Sequence, residues 1–201
     1  MKLYLSIIGV AMAIIAAVNI AVGTAAWYYV IAAVIWCTVL AFALDGAIAL
    51  IVNKVMPERW FGIDNPLFRV SEREKELYKK LRVRLWKDKV WELGGLGGFS
   101  KKSLREPNNP EYIEKFIVEC NKGVLTHRLS YPIGFLTMLT LFNVCSFTIA
   151  LPVGVVNLFL SILPTLALRY NTPKLRSVLT RLRRKNGKEA AKEAMEEILN
   201  P

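Results

Sequence analysis

Two long stretches without any charged side chain constrain this chain most. No Asp, Glu, Lys or Arg occurs from Leu3 to Leu44, and none occurs from Leu129 to Leu168. A helix that crosses the roughly 30 Å hydrocarbon layer of a bilayer needs about 20 apolar residues, so each stretch has room for two crossings. The sequence therefore predicts an all-α integral membrane protein with four transmembrane helices in two hairpins.

Turn-forming residues set the expected boundaries of the hairpins. The first hairpin is expected over residues 1–53, with its turn at residues 23–24, where the sequence reads Gly-Thr. The second is expected over residues 132–168, with its turn near the proline and glycine of residues 152–154. Glycine and proline are common in turns because each allows or fixes backbone angles that other residues disfavour.

The basic residues indicate which side of the membrane each segment faces. All 27 Lys and Arg residues lie outside the two charge-free stretches, most of them in residues 54–131 between the hairpins and in residues 169–201 after the second. Positive charge marks the cytoplasmic side. We therefore expect a multi-pass protein with both termini and the central segment in the cytoplasm.

The net charge of +11 then faces the cytoplasmic leaflet. It is consistent with membrane topology and lipid headgroup contact alone, or with a specific anionic ligand. Nucleic acid is not an expected partner, since no recognised binding motif accompanies the charge. A metal site is not expected either, because the chain has one histidine and three cysteines on spacings unlike those of metal sites. These cysteines, Cys37, Cys120 and Cys145, are interpreted as small buried apolar residues.

The central segment is expected to form helices on the membrane surface. Ser71 and Glu74 have the spacing of a capping box, which starts a helix by satisfying free amide groups. Apolar residues then recur near helical spacing among lysines and arginines, which predicts a basic amphipathic helix at the interface. The apolar positions are Leu77, Leu81, Leu85 and Val90.

Four glycines follow within five residues: Gly94, Gly95, Gly97 and Gly98. A phosphate-binding P-loop would need a preceding strand and a Gly-Lys-Ser/Thr ending, and this sequence has neither. Two interpretations remain. The glycines let the backbone approach a ligand and expose amide groups to phosphate oxygens, or they form a flexible turn between surface helices.

A second cytoplasmic helix is expected to start at Asn109-Pro110 and to run into the third crossing. It carries Glu119 and His127, which is the only histidine of the chain. At the membrane boundary, His127 is either a general base near neutral pH or a polar anchor. Glu119 lies eight residues earlier, about 12 Å along a straight helix, so contact between the two requires a break, which Gly123 permits.

Asp45 interrupts the second crossing. An ionisable group within a membrane is costly and by default marks a functional site or a buried pair. Asp45 is therefore interpreted as a catalytic carboxylate or as the partner of Arg128 or Arg169, which lie at the ends of neighbouring crossings.

The end of the last crossing places Arg169, Tyr170 and Asn171 at headgroup level. Pro173 is expected to interrupt the helix there, and a basic helix is expected to follow along the surface. Arg169 is able to clamp a phosphate through two parallel hydrogen bonds or to anchor the end of the helix.

Three motifs in order, RLWKDKV, EKFIVECNKGVLTH and RYNTPKL, resemble the glycosyl-4,4'-diaponeurosporenoate acyltransferase family of bacterial membrane proteins. The resemblance covers residues from about 60 to 185. The chain departs from the carotenoid enzyme at Gly123, where a second glutamate is expected. The matching residues are Trp86, Lys87, Glu119, His127, Arg169, Tyr170, Asn171, Pro173 and Leu175.

The resemblance implies transfer of a fatty acyl group to a hydroxyl of a lipid or glycolipid at the cytoplasmic face of a bacterial cell membrane. The donor would be an acyl-coenzyme A or acyl-carrier-protein thioester, used as a co-substrate without a further cofactor. His127 would act as general base, and Glu119 would orient it or bind the acceptor. The implied substrate-binding residues are Arg84, Trp86, Lys87, Gly94, Gly95, Arg169, Tyr170 and Asn171.

Two other functions stay open from the sequence. The chain could be a non-catalytic lipid-binding scaffold whose basic residues hold anionic lipid. It could also be a small transporter with Asp45 as the coupling carboxylate, although the two hairpins show no convincing repeat. An enzyme should lose function on His127→Ala, a transporter on Asp45→Asn.

Overall fold

The computed structural model describes residues 2–90 and 104–199. These residues form helices and connecting turns without a strand, which confirms the predicted all-α class. We number the α-helices in chain order: α1 Lys2–Val22, α2 Trp27–Leu50, α3 Glu72–Lys80, α4 Val83–Trp86, α5 Pro110–Ile133 and α6 Leu151–Leu199. Shorter 3-10 and π-helical turns connect or extend them: Ile51–Val55, Glu58–Phe61, Pro66–Phe68, Lys87–Lys89, Gly134–Thr140 and Ser146–Ala150.

The first hairpin turns where the sequence predicts. Gly23 has a positive φ of 73°, which glycine adopts without steric cost. Its amide donates to the carbonyl of Ile20 at 3.1 Å, and the amide of Thr24 donates to that of Asn19 at 3.0 Å. These bonds satisfy carbonyls left over at the end of α1, as in many helix C-termini.

The expected turn of the second hairpin at Pro152 and Gly154 is wrong, because α6 runs through both residues. The chain reverses earlier, where Leu141 is extended and Asn143 has a left-handed φ of 58°. Gly154 serves close packing instead. A Cβ added there would lie 2.8 Å from the ring of Phe135, so only glycine lets the two segments approach this closely.

A hydrogen bond from α1 explains how the last helix tolerates Pro152. Proline lacks an amide hydrogen, so the carbonyl four residues earlier, that of Thr148, loses its helical donor. The side-chain amide of Asn19 donates to this carbonyl at 2.9 Å and to that of Ile15 at 2.8 Å. In an apolar environment such replacement bonds are what permit a proline within a helix.

Pro173 does not interrupt α6 either, which overturns the expected break. Leu168, Leu175 and Leu179 are buried on both sides of it. Proline within a helix costs about 3 kcal/mol, whereas each buried leucine contributes roughly 1.5–3 kcal/mol. Packing on both sides of the proline therefore outweighs the lost hydrogen bond.

Among the described residues, three segments are long and apolar enough to cross a membrane: Tyr4–Val22, Trp27–Val55 and Ser146–Glu189. The expected third crossing is not a single helix, because α5 ends at Ile133 and gives way to the 3-10 turns Gly134–Thr140. The structure thus indicates a membrane-associated helical protein. The count of four crossings in two hairpins stays a prediction.

In the part of the chain that the structure describes, two clusters of buried apolar residues hold the helices together. One joins the ends of α1 and α2 near their turn to the chain reversal before α6. Its members are Ile15, Val30, Ala33, Val34, Cys37, Leu141, Cys145, Ile149, Ala150 and Val153. The other lies at the opposite end of α2, where α5 and α6 pack against the segment that precedes α3. It contains Ile48, Val52, Phe61, Phe68, Ile113, Phe116, Ile117, Val118, Cys120, Val124, Leu168, Leu175 and Leu179.

All three cysteines are buried members of these clusters, which confirms the prediction that they are small buried apolar residues. The predicted start of α5 is also confirmed. The side chain of Asn109 accepts a hydrogen bond from the amide of Tyr112 at 3.2 Å, and Pro110 is the first helical residue.

The predicted amphipathic helix begins as expected but is not continuous. The capping box is formed, with Ser71 Oγ 3.2 Å from the amide of Glu74. The helix then stops at Lys80, and Arg82 has a left-handed φ of 49° before α4 begins. This break turns Val83 into the interior, where it is fully buried, while the predicted apolar positions Leu77, Leu81 and Leu85 face outward.

Candidate functional site

A bidentate ion pair joins α6 to α3. Arg169 donates from Nε to Glu74 Oε1 at 2.9 Å and from Nη2 to Glu74 Oε2 at 2.7 Å. Nη2 also donates to the carbonyl of Arg69 at 2.8 Å. The arginine is only 4% exposed. The expected pairing of Arg169 with Asp45 is therefore wrong, because the guanidinium lies against α3.

Glu74 is the centre of a hydrogen-bond network. Besides Arg169, it accepts from the amide of Ser71 at 3.0 Å and from the hydroxyl of Tyr78 at 3.2 Å. Burial favours the neutral acid, but the hydrogen bonds from Arg169 and Ser71, together with the arginine's charge, outweigh it and lower the pKa of Glu74. Burial raises the pKa of Tyr78, and the neighbouring carboxylate adds to that increase.

The residues that follow Arg169 extend this network along α6. The ring of Tyr170 meets that of Tyr78 edge to face, with centroids 6.4 Å apart. The ammonium of Lys174 lies 4.0 Å from the centroid of Tyr170, in cation–π contact. Asn171 is half-buried on the same helix. The sequence singled out Tyr170 and Asn171, but it identified Glu74 only as a helix cap and missed Tyr78.

Asp45 contacts neutral polar groups of two other helices. Asn157 of α6 donates to its carboxyl at 3.5 Å, and the hydroxyl of Ser130 on α5 is a second neighbour. Within the described part of the chain, neither Arg128 nor Arg169 forms an ion pair with it, so both expected pairings fail. Ser130 and Asn157 went unrecognised in the sequence, although polar residues inside a charge-free stretch are a usable signal.

Asn157 is held in place by a close helix approach. A Cβ added at Gly134 would lie 2.9 Å from both Cβ and Nδ2 of Asn157. Only a glycine thus leaves room for the amide that reaches Asp45. The packing of the two helices therefore sets the polar cluster of Asp45, Ser130 and Asn157, which we call the Asp45 cluster.

Glu119 and His127 do not come together through a kink. Helix α5 is unbroken from Pro110 to Ile133, so the eight-residue separation corresponds to about 12 Å of rise. Glu119 instead binds Lys122 at 2.7 Å, and Lys122 lies 3.7 Å from Glu58. The expectation that Glu119 orients His127 by direct contact is wrong.

His127 instead lies one helical turn from the Asp45 cluster. It is half-buried on α5, three residues before Ser130. Residues three apart on a helix are neighbours on its surface. Helix geometry thus gives His127 and Ser130, whose hydroxyl faces Asp45, neighbouring positions on α5.

The expected donor-binding residues are only partly described. Arg84 is exposed on α4, Trp86 donates from its indole to the carbonyl of Leu81 at 3.0 Å, and Lys87 forms an ion pair with Asp88. Gly94 and Gly95 lie outside the described residues. Across residues 2–90 and 104–199, no three His, Cys, Asp or Glu side chains are close enough to hold a metal ion.

Comparison with known sequences identifies a family. The sequence model of the glycosyl-4,4'-diaponeurosporenoate acyltransferase family matches residues 57–181, well over half of the chain. The matched range includes His127, Arg169 and all of the central segment 54–131 except its first three residues. No curated protein and no solved structure gives a significant match.

Proposed function

Because this chain belongs to the glycosyl-4,4'-diaponeurosporenoate acyltransferase family, we propose that it is a membrane enzyme that acylates a lipid. It moves a fatty acyl group from a thioester donor to a hydroxyl of a lipid or glycolipid at the cytoplasmic face. The donor is an acyl-coenzyme A or an acyl-carrier protein, which serves as co-substrate without another cofactor.

The observation that carries this proposal is the Asp45 cluster, one helical turn along α5 from His127. It brings a carboxyl, a hydroxyl and an amide from three helices together among apolar residues. An ionisable group in such a place is costly unless it has a task or a charged partner. With no arginine pairing found for Asp45 in the described residues, chemistry is the better supported reason for its presence.

In the proposed reaction, His127 takes the proton of the acceptor hydroxyl as its oxygen attacks the thioester carbonyl. The carbon–sulfur bond then breaks, and the proton passes from the imidazolium to the departing thiolate. The products are a new oxygen ester and a free thiol. Asp45 favours the imidazolium through its negative charge and, with Asn157, binds polar groups of the acceptor.

Donor binding is assigned to the cytoplasmic side. Arg84 and Lys87 would contact donor phosphates, and Trp86 would pack on the donor. The amides of Gly94 and Gly95 would approach the same group. Tyr170 and Asn171 are placed at the headgroup level of the acceptor, where Tyr170 already contacts Tyr78. Glu119 is reassigned from orienting the base to positioning Lys122.

The proposed enzyme works with both termini in the cytoplasm of a bacterial cell, and its partners are membrane lipids and the acyl donor. Outward-facing apolar residues on α1 and α2 support membrane contact. The distribution of lysine and arginine supports the orientation.

The test uses protein in nanodiscs made with host lipids. Labelled palmitoyl-coenzyme A or palmitoyl-carrier protein is added, and mass spectrometry detects newly acylated lipid. We expect label in a lipid with the native protein and loss of it with His127→Ala. Lys115→Ala, an exposed change on the same helix, serves as the matched control and should retain transfer. No transfer from either donor would contradict the proposal.

A second function is favoured by one observation. Leu77, Leu81 and Leu85 face outward among basic residues, which suits a scaffold that lies on anionic lipid without catalysis. In that case the His127→Ala protein should keep its lipid binding and its cellular role. Weakening of lipid association with rising ionic strength would accompany this function.

A further inference from the structure

Two arginines on α6, Arg169, which is buried, and Arg176, which is half-buried, have shielded hydrogen-bonding atoms without a partner among the described residues. Nη1 of Arg169 and both Nε and Nη2 of Arg176 are shielded from solvent and have no hydrogen-bond partner among the described residues. Arg169 is 96% buried, since only 4% of it is exposed. A buried charged donor left unbonded is expensive, and native structures contain few of them.

The two side chains point from the same face of the helix. They are seven residues apart, close to two full turns of an α-helix. The segment before α3 covers this face: the carbonyl of Arg69 binds Arg169, and the charges of Arg69 and Asp64 act on Arg176. The unbonded atoms therefore lie on the side of α6 that faces the segment from Asp64 to Arg69.

The local charge is unbalanced. Arg169 uses two of its nitrogens on Glu74, which is the nearest carboxylate and is fully engaged. Burial disfavours the charged form of Arg176, and the positive charges of Arg69 and Arg169 add to that effect, while Asp64 alone opposes them. A negative group entering here would gain from two guanidiniums and would displace no existing hydrogen bond.

The geometry of the free atoms selects the chemistry. Nε and Nη2 form one edge of a guanidinium, which is the edge that binds two oxygens of a carboxylate or phosphate in parallel. The third donor without a partner, Nη1 of Arg169, can bind one more acceptor oxygen. A phosphate has three terminal oxygens, whereas a carboxylate has two, and phosphates are abundant at the membrane surface.

We propose that Arg169 and Arg176 form a phosphate-binding site between α6 and the segment from Asp64 to Arg69. Arg176 binds two phosphate oxygens through Nε and Nη2, and Arg169 binds a further oxygen through Nη1. Glu74 keeps Arg169 in position and does not touch the ligand. The phosphate belongs to the acyl donor or to a lipid headgroup. Only the donor case rests on the proposed function.

The test measures binding without turnover, so its failure is separate from failure of the proposed reaction. Protein in neutral phosphatidylcholine nanodiscs is titrated with coenzyme A, and with pantetheine, which lacks the phosphates. In a parallel arm, native mass spectrometry compares the retention of phosphatidylglycerol with that of diacylglycerol of equal chain length. We expect native protein to prefer the phosphate-bearing member of at least one pair.

Arg176→Gln should lower the affinity for that preferred ligand about tenfold or more, since it removes the charge-assisted contact to two oxygens. Arg184→Gln, which changes an exposed arginine farther along α6, is the matched control and should bind as the native protein does. A response to coenzyme A assigns the site to the donor, and a response to phosphatidylglycerol assigns it to a headgroup. Equal loss in both variants, native-like binding by Arg176→Gln, or no preference in the native protein would overturn the site.

A stability measurement gives a second, independent readout. Arg176→Met keeps the aliphatic stem and removes the unbonded charge, so without ligand its thermal midpoint should stay equal or rise. The phosphate-bearing ligand should raise the midpoint of the native protein but not that of the variant. A lower midpoint of Arg176→Met without ligand would mean that the guanidinium stabilises the fold itself, and would overturn the assignment.

Discussion

The Arg169–Glu74 ion pair and the Asp45 cluster are two polar regions with opposite character. In the first, two nitrogens of the Arg169 guanidinium and one backbone amide engage both oxygens of the carboxylate through bonds of 2.7–3.0 Å. In the second, the carboxyl of Asp45 has a single 3.5 Å bond from an amide and a neighbouring hydroxyl. We therefore expect that Glu74 is held for structure, and we propose that Asp45 keeps its bonding capacity for a substrate.

The sharpest test of this comparison is Asp45→Asn. Asparagine has nearly the same shape and can keep the contact with Asn157, so thermal stability should change little. If the carboxylate takes part in acyl transfer, the rate should fall by about 10²–10⁴-fold, the usual contribution of acid–base groups. The measurement is the rate of lipid acylation beside a thermal unfolding curve. A large loss of stability with unchanged specific activity would reverse the assignment.

Glu74→Ala should have the opposite profile. It leaves Arg169 buried with no counter-charge, and breaking a buried pair in this way costs about 3–5 kcal/mol. Because the Glu74 side chain is 30% exposed, we expect a cost at the lower end of that range. Chemical unfolding of the purified protein measures the change. Glu72→Ala, which removes an exposed surface pair with Lys75, should change stability by no more than about 0.5 kcal/mol.

Gly134→Ala tests whether the close approach of α5 and α6 positions the Asp45 cluster. The new methyl would lie 2.9 Å from Asn157, so the amide has to move and the α5–α6 packing loosens. We expect a cost of about 1–3 kcal/mol and slower acylation. Gly46→Ala adds the same methyl where no atom lies within 4 Å and should be neutral or stabilising. Equal effects of the two variants would exclude the close approach as the cause.

Lowering the pH should remove the contribution of the Arg169–Glu74 pair to the stability of the fold. The pKa of Glu74 is lower in the folded protein than the ordinary glutamate value of about 4.3. Its contribution to stability is therefore present above that ordinary value and is lost as the pH falls through the folded pKa. Thermal midpoints from pH 7 to pH 3 should show a steeper acid decline for native protein than for Glu74→Gln. Parallel declines would mean that other carboxylates dominate.

Local signals in the sequence were reliable where neighbouring residues decide the structure. The turn at Gly23, the capping box at Ser71 and the start of α5 at Asn109 all depend on backbone freedom or on side-chain bonds within four residues. All three are confirmed. The first charge-free stretch likewise forms two long apolar helices, since a bilayer selects for composition. In the second stretch only α6 is such a helix, because the expected third crossing is not continuous beyond Ile133.

Local signals failed where distant segments decide. Pro152 and Gly154 have turn chemistry, yet the amide of Asn19 on α1 and the ring of Phe135 give them other roles. The left-handed turn at Arg82 depends on the burial of Val83, which no local pattern reveals.

The sequence by itself determined that this is a helical, membrane-associated protein with basic surface segments, and its motifs pointed to the acyltransferase family. Only the tertiary structure decided that Arg169 pairs with Glu74, that Glu119 stays apart from His127, and that Asp45 meets neutral partners. Pairings between residues 95 or more positions apart depend on how whole helices pack. That packing depends on the free-energy cost of burying polar groups along the whole chain, so it cannot be predicted from any one stretch of sequence.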